Sequence, residues 1–216
     1  MLLAIDTSAG TSVAVVDRDR GVISERLEAD TMRHAEVIGR LIRECLAEAD
    51  VAVGDLSGVV GGMGPGPFTG LRVGIAAARV FALGAGAPLV PVVSHDAIAF
   101  GRYRDGHVGP LLVVTDARRR EVYWSAYSDA DAHGLPNRIG APGLAKPADL
   151  AQSVALREPD WTHADWTHAD GVSISAGDLG MVAELSFAYG RSFAADSPLY
   201  LRSPDVTLPT GRKRVS

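Results

Sequence analysis

The run Gly62-Met63-Gly64-Pro65-Gly66-Pro67-Phe68-Thr69-Gly70-Leu71-Arg72-Val73-Gly74 constrains this chain more than any other stretch. It follows a short apolar segment, Leu56 to Gly61, that reads as a buried strand, and it leads into a helical pattern. A glycine-rich link between a strand and a helix N-terminus is a common place for a phosphate. The residue types argue against that use here. A Walker loop needs a second glycine five places after the first, then Lys and Ser or Thr. Five places beyond Gly64 is Thr69, five beyond Gly66 is Leu71, and the loop has no lysine. The dinucleotide fingerprint fails at the same Thr69, where its third glycine belongs. Pro65 and Pro67 each lack a backbone N–H, so an anion would lose two donors. The loop reads as a rigid turn, with Thr69 a candidate cap for the next helix.

Around it the chain alternates strands and helices. Leu2 to Ile5, ending at Asp6, Thr11 to Asp17 and Val22 to Leu27 form an opening meander. A helix is expected from Met32 to Ala49, with Val37, Ile38, Leu41, Ile42, Cys45 and Leu46 on one face and Thr31 as cap. The helix after the glycine loop, Leu71 to Leu83, carries small residues every fourth place: Gly70, Gly74, Ala78 and Ala82. Pro88 to Val93 is the next strand, and Ser94 caps a short helix through Phe100. After a link, Gly101 to Gly109, come strands at Leu111 to Thr115 (ending at Asp116) and Glu121 to Tyr127. A helix from Pro147 to Leu156, a strand from Val172 to Ala176 and a helix from Asp178 to Ala188 follow. The order βββαβαβ is weakly echoed in the second half, which predicts a two-lobed α/β fold with lobes at residues 1–105 and 106–216.

Charge and composition remove several function classes. The net charge of −5 argues against broad nucleic-acid binding by the chain alone. Its single cysteine, Cys45, excludes an internal disulfide or a cysteine zinc cluster and sits in an apolar stripe, as a buried thiol does. Met1 to Ile5 is apolar, but Asp6 interrupts it well short of a signal segment or membrane span, so a cytoplasmic protein is expected.

The candidate chemistry is sparse. Asp6-Thr7-Ser8 stands at a strand end, where an aspartate can orient a metal-bound water or simply form a turn. Asp116 ends the matching strand of the second half, so the two acids are candidates to face each other across a cleft. The residues beside it are Ala117-Arg118-Arg119-Arg120, too bulky for a phosphate loop and by default solvated surface, like the tail Arg212-Lys213-Arg214. His34 lacks a second histidine one turn on, since Ile38 stands there, which disfavours a helical metal pair. Trp161 to Asp165 is repeated as Trp166 to Asp170; the duplication brings two His and two Asp residues but reads as a slip in a tolerant loop rather than a metal site.

Taken together, Ile5-Asp6-Thr7-Ser8, His34-Ala35-Glu36, the Gly64 to Gly74 loop, Asp116-Ala117-Arg118-Arg119 with Glu121-Val122-Tyr123, and Pro198-Leu199-Tyr200-Leu201-Arg202 resemble the bacterial TsaB (YeaZ) family. The match runs in order along nearly the whole chain and is weakest from Asp129 to Asp170. The resemblance implies an actin-like/RNase H-like (ASKHA) fold with a degenerate second lobe. It also implies a non-catalytic subunit in forming N6-threonylcarbamoyladenosine at position 37 of ANN-decoding tRNAs. Its partners would be TsaD, which transfers the group and carries the metal, and TsaE, the ATPase. ATP and metal are then expected on those subunits, with no cofactor or metal of the chain's own. A TsaD heterodimer, a homodimer when alone, only indirect or weak contact with tRNA and no membrane are further expectations.

The resemblance places the partner interface on the two N-lobe helices, at Gly70, Arg72, Gly74, Ala78, Arg79, Ala82, His34 and Ile38. The small stripe has a second use, seating its helix against the chain's own sheet. Asp6, Thr7, Ser8 and Asp116 are the nucleotide-proximal candidates. Pro67 departs from the family, which usually has Ser there. The alternative from the enzyme class is an ATPase or small-molecule kinase of the same fold using Asp6 and Asp116; a peptidase lacks both a metal pair and a nucleophile.

Overall fold

The computed structural model describes residues 1–157, 166–171 and 173–202. Its first sheet has the order β3-β2-β1-β4-β5, built from β1 (Leu2–Asp6), β2 (Thr11–Asp17), β3 (Gly21–Glu28), β4 (Gly58–Gly62) and β5 (Leu89–Val92). β1 pairs antiparallel with β2 and parallel with β4. Helices cover both faces, which is why β1 and β2 read as unbroken apolar runs rather than alternating ones. Leu3, Ile5, Val13, Val15 and Val59 point to one face, where α1 (His34–Ala49) and α2 (Phe68–Ala85) supply Leu41, Cys45, Ala78 and Ala82. Leu2, Ala4, Ala14, Val16 and Val60 point to the other, against Phe100 of α3 (Ser94–Arg104) and Leu179, Val182 and Ala183 of α5 (Ala176–Ala188). The last described helix of the chain thus completes the core of the first sheet.

The second sheet has the order β8-β7-β6-β9, from β6 (Leu111–Asp116), β7 (Val122–Ala130), β8 (Pro136–Ala145) and β9 (Thr167–Gly171). Short helix α4 (Leu150–Ala155) covers one face with Leu150 and Val154 over Trp124. α3 serves both sheets: Ala97 and Phe100 join the first core, while Ala99 and Tyr103 pack with Leu111, Val113 and Tyr127 of the second.

Several expectations need correction. Thr31 does not cap α1; the cap position is Arg33, without a side-chain bond, and the Thr31 hydroxyl accepts from Arg118 Nη2 at 2.9 Å. Thr69 does not cap α2, which starts earlier behind Pro67. α3 runs on to Arg104, into the first four residues of the expected link. β8 was not foreseen, and the late strand lies at Thr167–Gly171 instead of Val172 to Ala176. That strand is the second copy of the duplication, paired in parallel with β6 and burying Ala169 against Val113, so this copy is not a tolerant loop. The first copy (with His163 and Asp165) and the Arg212-Lys213-Arg214 tail lie outside the described residues.

His95 ties α3 to the second sheet. Its ring is fully buried, with Nδ1 2.8 Å from Ser125 Oγ and Nε2 2.8 Å from Thr115 Oγ1. Burial lowers its pKa from 6.5 to about 3, so the imidazole is neutral in the fold. Below pH 6.5 the unfolded chain then binds a proton that the folded chain does not, so this contribution to stability falls as pH drops from 6.5 toward about 3. Chemical denaturation across that range is expected to show the slope in the natural chain and a shallower one in His95→Gln; equal slopes would contradict this account.

Candidate functional site

The sequence motifs converge where β1 and β4 end. Asp6 is buried there and its carboxylate accepts from Ser8 N at 2.7 Å and from the Ser8 and Ser94 hydroxyls. The Ser94 hydroxyl in turn accepts from Gly64 N at 3.0 Å, so Ser94 fastens the glycine loop instead of capping α3. Burial raises the Asp6 pKa, opposed by these donors. Thr7 donates its hydroxyl to Gly70 O at 2.7 Å.

Asp116 is exposed at the end of β6. A cavity of about 400 Å³ between the two sheets is lined by Ser8, Thr31, Asp116, Arg118 and Asp170, but not by Asp6. The expected pair of facing acids is therefore not formed: Asp6 is enclosed by hydroxyls and Asp116 stands in the open cleft. Among the described residues no group of three or more His, Cys, Asp and Glu is placed to hold a metal. Cys45 is buried, donates Sγ–H to Val13 O at 3.2 Å, and burial pushes its pKa up to about 11.

Beside the cleft, Arg118, Arg119 and Arg120 all take left-handed backbone, with φ of 64°, 52° and 61°. Each such residue costs on the order of 1–2 kcal/mol. Arg118 N donates to Asp116 Oδ1 at 2.8 Å, Glu121 N to Arg118 O at 3.0 Å, and Arg202 Nη1 to Ala117 O at 3.0 Å. The turn edges a second cavity of about 470 Å³, shared with Pro67, Phe68, Tyr200 and Arg202. Nothing in the spacing of three arginines signals left-handed geometry, so sequence reasoning had no way to find it.

The small stripe of α2 faces inward. A Cβ at Gly70 would stand 2.6 Å from Thr7 O, and one at Gly74 would stand 2.1 Å from Thr7 Oγ1. Ala78 and Ala82 are in the first core. Ile38 is buried in the same core, and His34 is buried with Nδ1 2.8 Å from Thr11 Oγ1. These six of the expected interface residues are accordingly covered by the chain itself, and the close-packing use of the stripe is the one realised. Arg72 and Arg79 do face outward. Arg72 lies 3.8 Å over the Phe68 ring and donates to Tyr200 OH, while Arg79 pairs with Asp196 at 2.7 Å. Between and beyond them α2 exposes Ala76, Val80 (70%) and Leu83 (84%). By length and composition α2 is apolar enough to cross a membrane, but Leu71, Ile75, Ala78 and Ala82 bury one side of it within the fold.

Gly74→Ala is expected to destabilise the chain by about 1–3 kcal/mol, because the new methyl displaces Thr7. Gly84, in the same helix with open space at its Cβ position, should gain up to about 1 kcal/mol as Gly84→Ala. Urea titration of both variants decides; equal effects would sink the packing argument.

The comparisons with known proteins agree with this geometry. The family model described as TsaD, tRNA N6-adenosine threonylcarbamoyltransferase, matches residues 12–157. An uncharacterised protein of Mycobacterium tuberculosis is 39% identical over 95% of this chain and 93% of its own length. The tRNA threonylcarbamoyladenosine biosynthesis protein TsaB of Escherichia coli is 27% identical over 94% of each. Among solved structures, a Pseudomonas aeruginosa protein with similarity to peptidase YeaZ superposes with TM-score 0.77 at 28% identity, covering 93% of this chain and 99% of that one. YeaZ from the same organism gives TM-score 0.73 at 26% identity, with the same coverage. With two mixed α/β sheets, a buried Asp-Thr-Ser turn and these likenesses, the chain belongs to the TsaB (YeaZ) family and has its actin-like/RNase H-like (ASKHA) fold.

Proposed function

We propose that this chain is a non-catalytic scaffold subunit in the formation of N6-threonylcarbamoyladenosine at position 37 of ANN-decoding tRNAs. It binds and stabilises a TsaD-type transferase and helps recruit a TsaE-type ATPase, which between them hold the metal and the ATP. Alone, it pairs with a second copy of itself. Contact with tRNA is indirect or weak, and the setting is cytoplasmic. The relatives named for threonylcarbamoyladenosine biosynthesis in Escherichia coli, Bacillus subtilis and Haemophilus influenzae support the pathway.

The observation that carries the scaffold role is the outer face of α2. Val80 and Leu83 expose large apolar side chains on a helix whose inner face is fixed against the sheet. A rigid helix with an uncovered apolar face suits helix-to-helix docking. The Asp6 carboxylate speaks against the ATPase or kinase alternative, because it is 2% exposed and already holds three donors.

The test is reconstitution of tRNA modification from TsaD-type and TsaE-type partners, with and without this chain. A combined Val80→Asp and Leu83→Asp variant should keep its fold by circular dichroism. It should bind the TsaD-type subunit about thirtyfold more weakly, the ~2 kcal/mol typical of a lost interface anchor. Unchanged binding would remove α2 from the interface. ATP turnover by the isolated chain that disappears in Asp6→Ala would instead favour the enzyme reading.

A further inference from the structure

Away from the cleft and from the outer face of α2, a small polar pocket opens between α3, β8, α5 and the segment after α5. Its cavity is about 150 Å³, room for roughly five waters at about 30 Å³ each. It is edged by Asp96, Pro136, Arg138, Ser186, Arg191 and Ser192. An adjoining hollow of about 80 Å³ shares Asp96, Arg138, Ser186 and Ser192.

The polar atoms here are held in place yet incompletely used. Asp96 Oδ1 accepts from Tyr127 OH at 2.8 Å and from Arg138 Nε at 3.0 Å, so both of these side-chain bonds fall on one oxygen of the carboxylate. Arg138 Nη1 donates to Gly140 O at 3.0 Å, leaving Nη2. Arg191 is anchored by Asp131 Oδ2 at 2.9 Å and by Asn137 Oδ1 and Pro136 O. Ser186 is 7% exposed, and its hydroxyl has no partner within the described chain, not even the carbonyl one turn back on α5. The Ser186 hydroxyl, without an internal partner, is therefore open to a pocket that also presents a fixed acid and a fixed guanidinium.

Charge narrows what meets it. The carboxylates of Asp96 and Asp131 balance the guanidiniums of Arg138 and Arg191. A simple anion entering would face Asp96, and a simple cation would face both arginines. A molecule carrying both charges on neighbouring atoms matches an acid and a guanidinium that already stand side by side. We propose that this pocket binds a small zwitterion of the α-amino acid class. Its carboxylate is taken by Arg138 Nη2 and the Ser186 and Ser192 hydroxyls, and its ammonium by Asp96 Oδ2. The cavity volume matches an amino acid with a short side chain.

The experiment is an NMR titration of the full, isotopically labelled chain with L-serine and L-alanine, with acetate and methylammonium as single-charge controls. Saturable shifts are expected at the amides of residues 136–138 and 186–192 for either amino acid, with both controls at least tenfold weaker. Ser186→Ala, which removes a hydroxyl with no internal partner, should keep the fold and weaken binding severalfold. Asp96→Asn should abolish it, and if that variant misfolds, Ser186→Ala alone decides. No saturable shift with either amino acid would overturn the proposal and leave a pocket filled by solvent only. Acetate binding as tightly as L-serine, or binding indifferent to Ser186→Ala, would overturn it equally. The site is independent of the α2 face, so its failure leaves the scaffold reading standing.

Discussion

One buried carboxylate organises the chemistry-bearing half of this fold. Asp6 is removed from solvent at the end of β1, where an uncompensated charge would be costly. Compensation comes from the next turn and from α3, through Ser8 and Ser94. Ser94 also holds Gly64, so strand end, glycine loop and helix start share one hydrogen-bonded knot. The glycines then follow from sterics. A Cβ at Gly62 would fall 1.8 Å from Asp6 Oδ2, one at Gly66 2.8 Å from Ser8, and one at Gly74 2.1 Å from Thr7 Oγ1. The loop is glycine-rich because the Asp6-Thr7-Ser8 turn fills the space beside it, not because a phosphate needs room.

That use of the motif has a functional consequence. Its aspartate is engaged in structural bonding and does not line the neighbouring cleft. The same knot holds α2 close to the sheet, since Thr7 bonds Gly70 and packs on Gly74. The inner side of α2 is spent on the chain itself. Its outer side, with Val80, Leu83, Arg72 and Arg79, stays exposed.

Much of the strand and helix order was legible because apolar runs and helical periodicity report burial directly. β1, β2, α1 and α2 were placed to within a few residues for that reason. β8 was hidden by its Gly and Pro content and by exposed residues at its centre, which break any alternation. β9 was displaced because Thr-His-Ala-Asp has a polar face, and only pairing with β6 makes it a strand. Ser94 and Thr69 carried cap-like positions, but tertiary partners claimed the first and an early helix start bypassed the second. The inward direction of the small stripe was one of two open uses, and spacing alone cannot say which way a helix face turns. The left-handed Arg118 to Arg120 turn left no trace at all, since its cause is the bonding of Asp116, Glu121 and Arg202 around it.

One edge of the first sheet is guarded by the chain itself. β5 is an edge strand, and exposed edges invite pairing with another chain. Here β5 is short and contains Pro91, and the segment after α5 lies along it, with Ala194 N donating to Pro91 O at 3.1 Å. The same segment continues to Leu199, which bonds Met63 O at 2.8 Å, and to Tyr200, which packs on Phe68. Asp196 meanwhile clasps Arg79 on α2. One strap thus covers part of the β5 edge at Pro91 and borders the outer face of α2, which hinders strand addition on this side of the sheet.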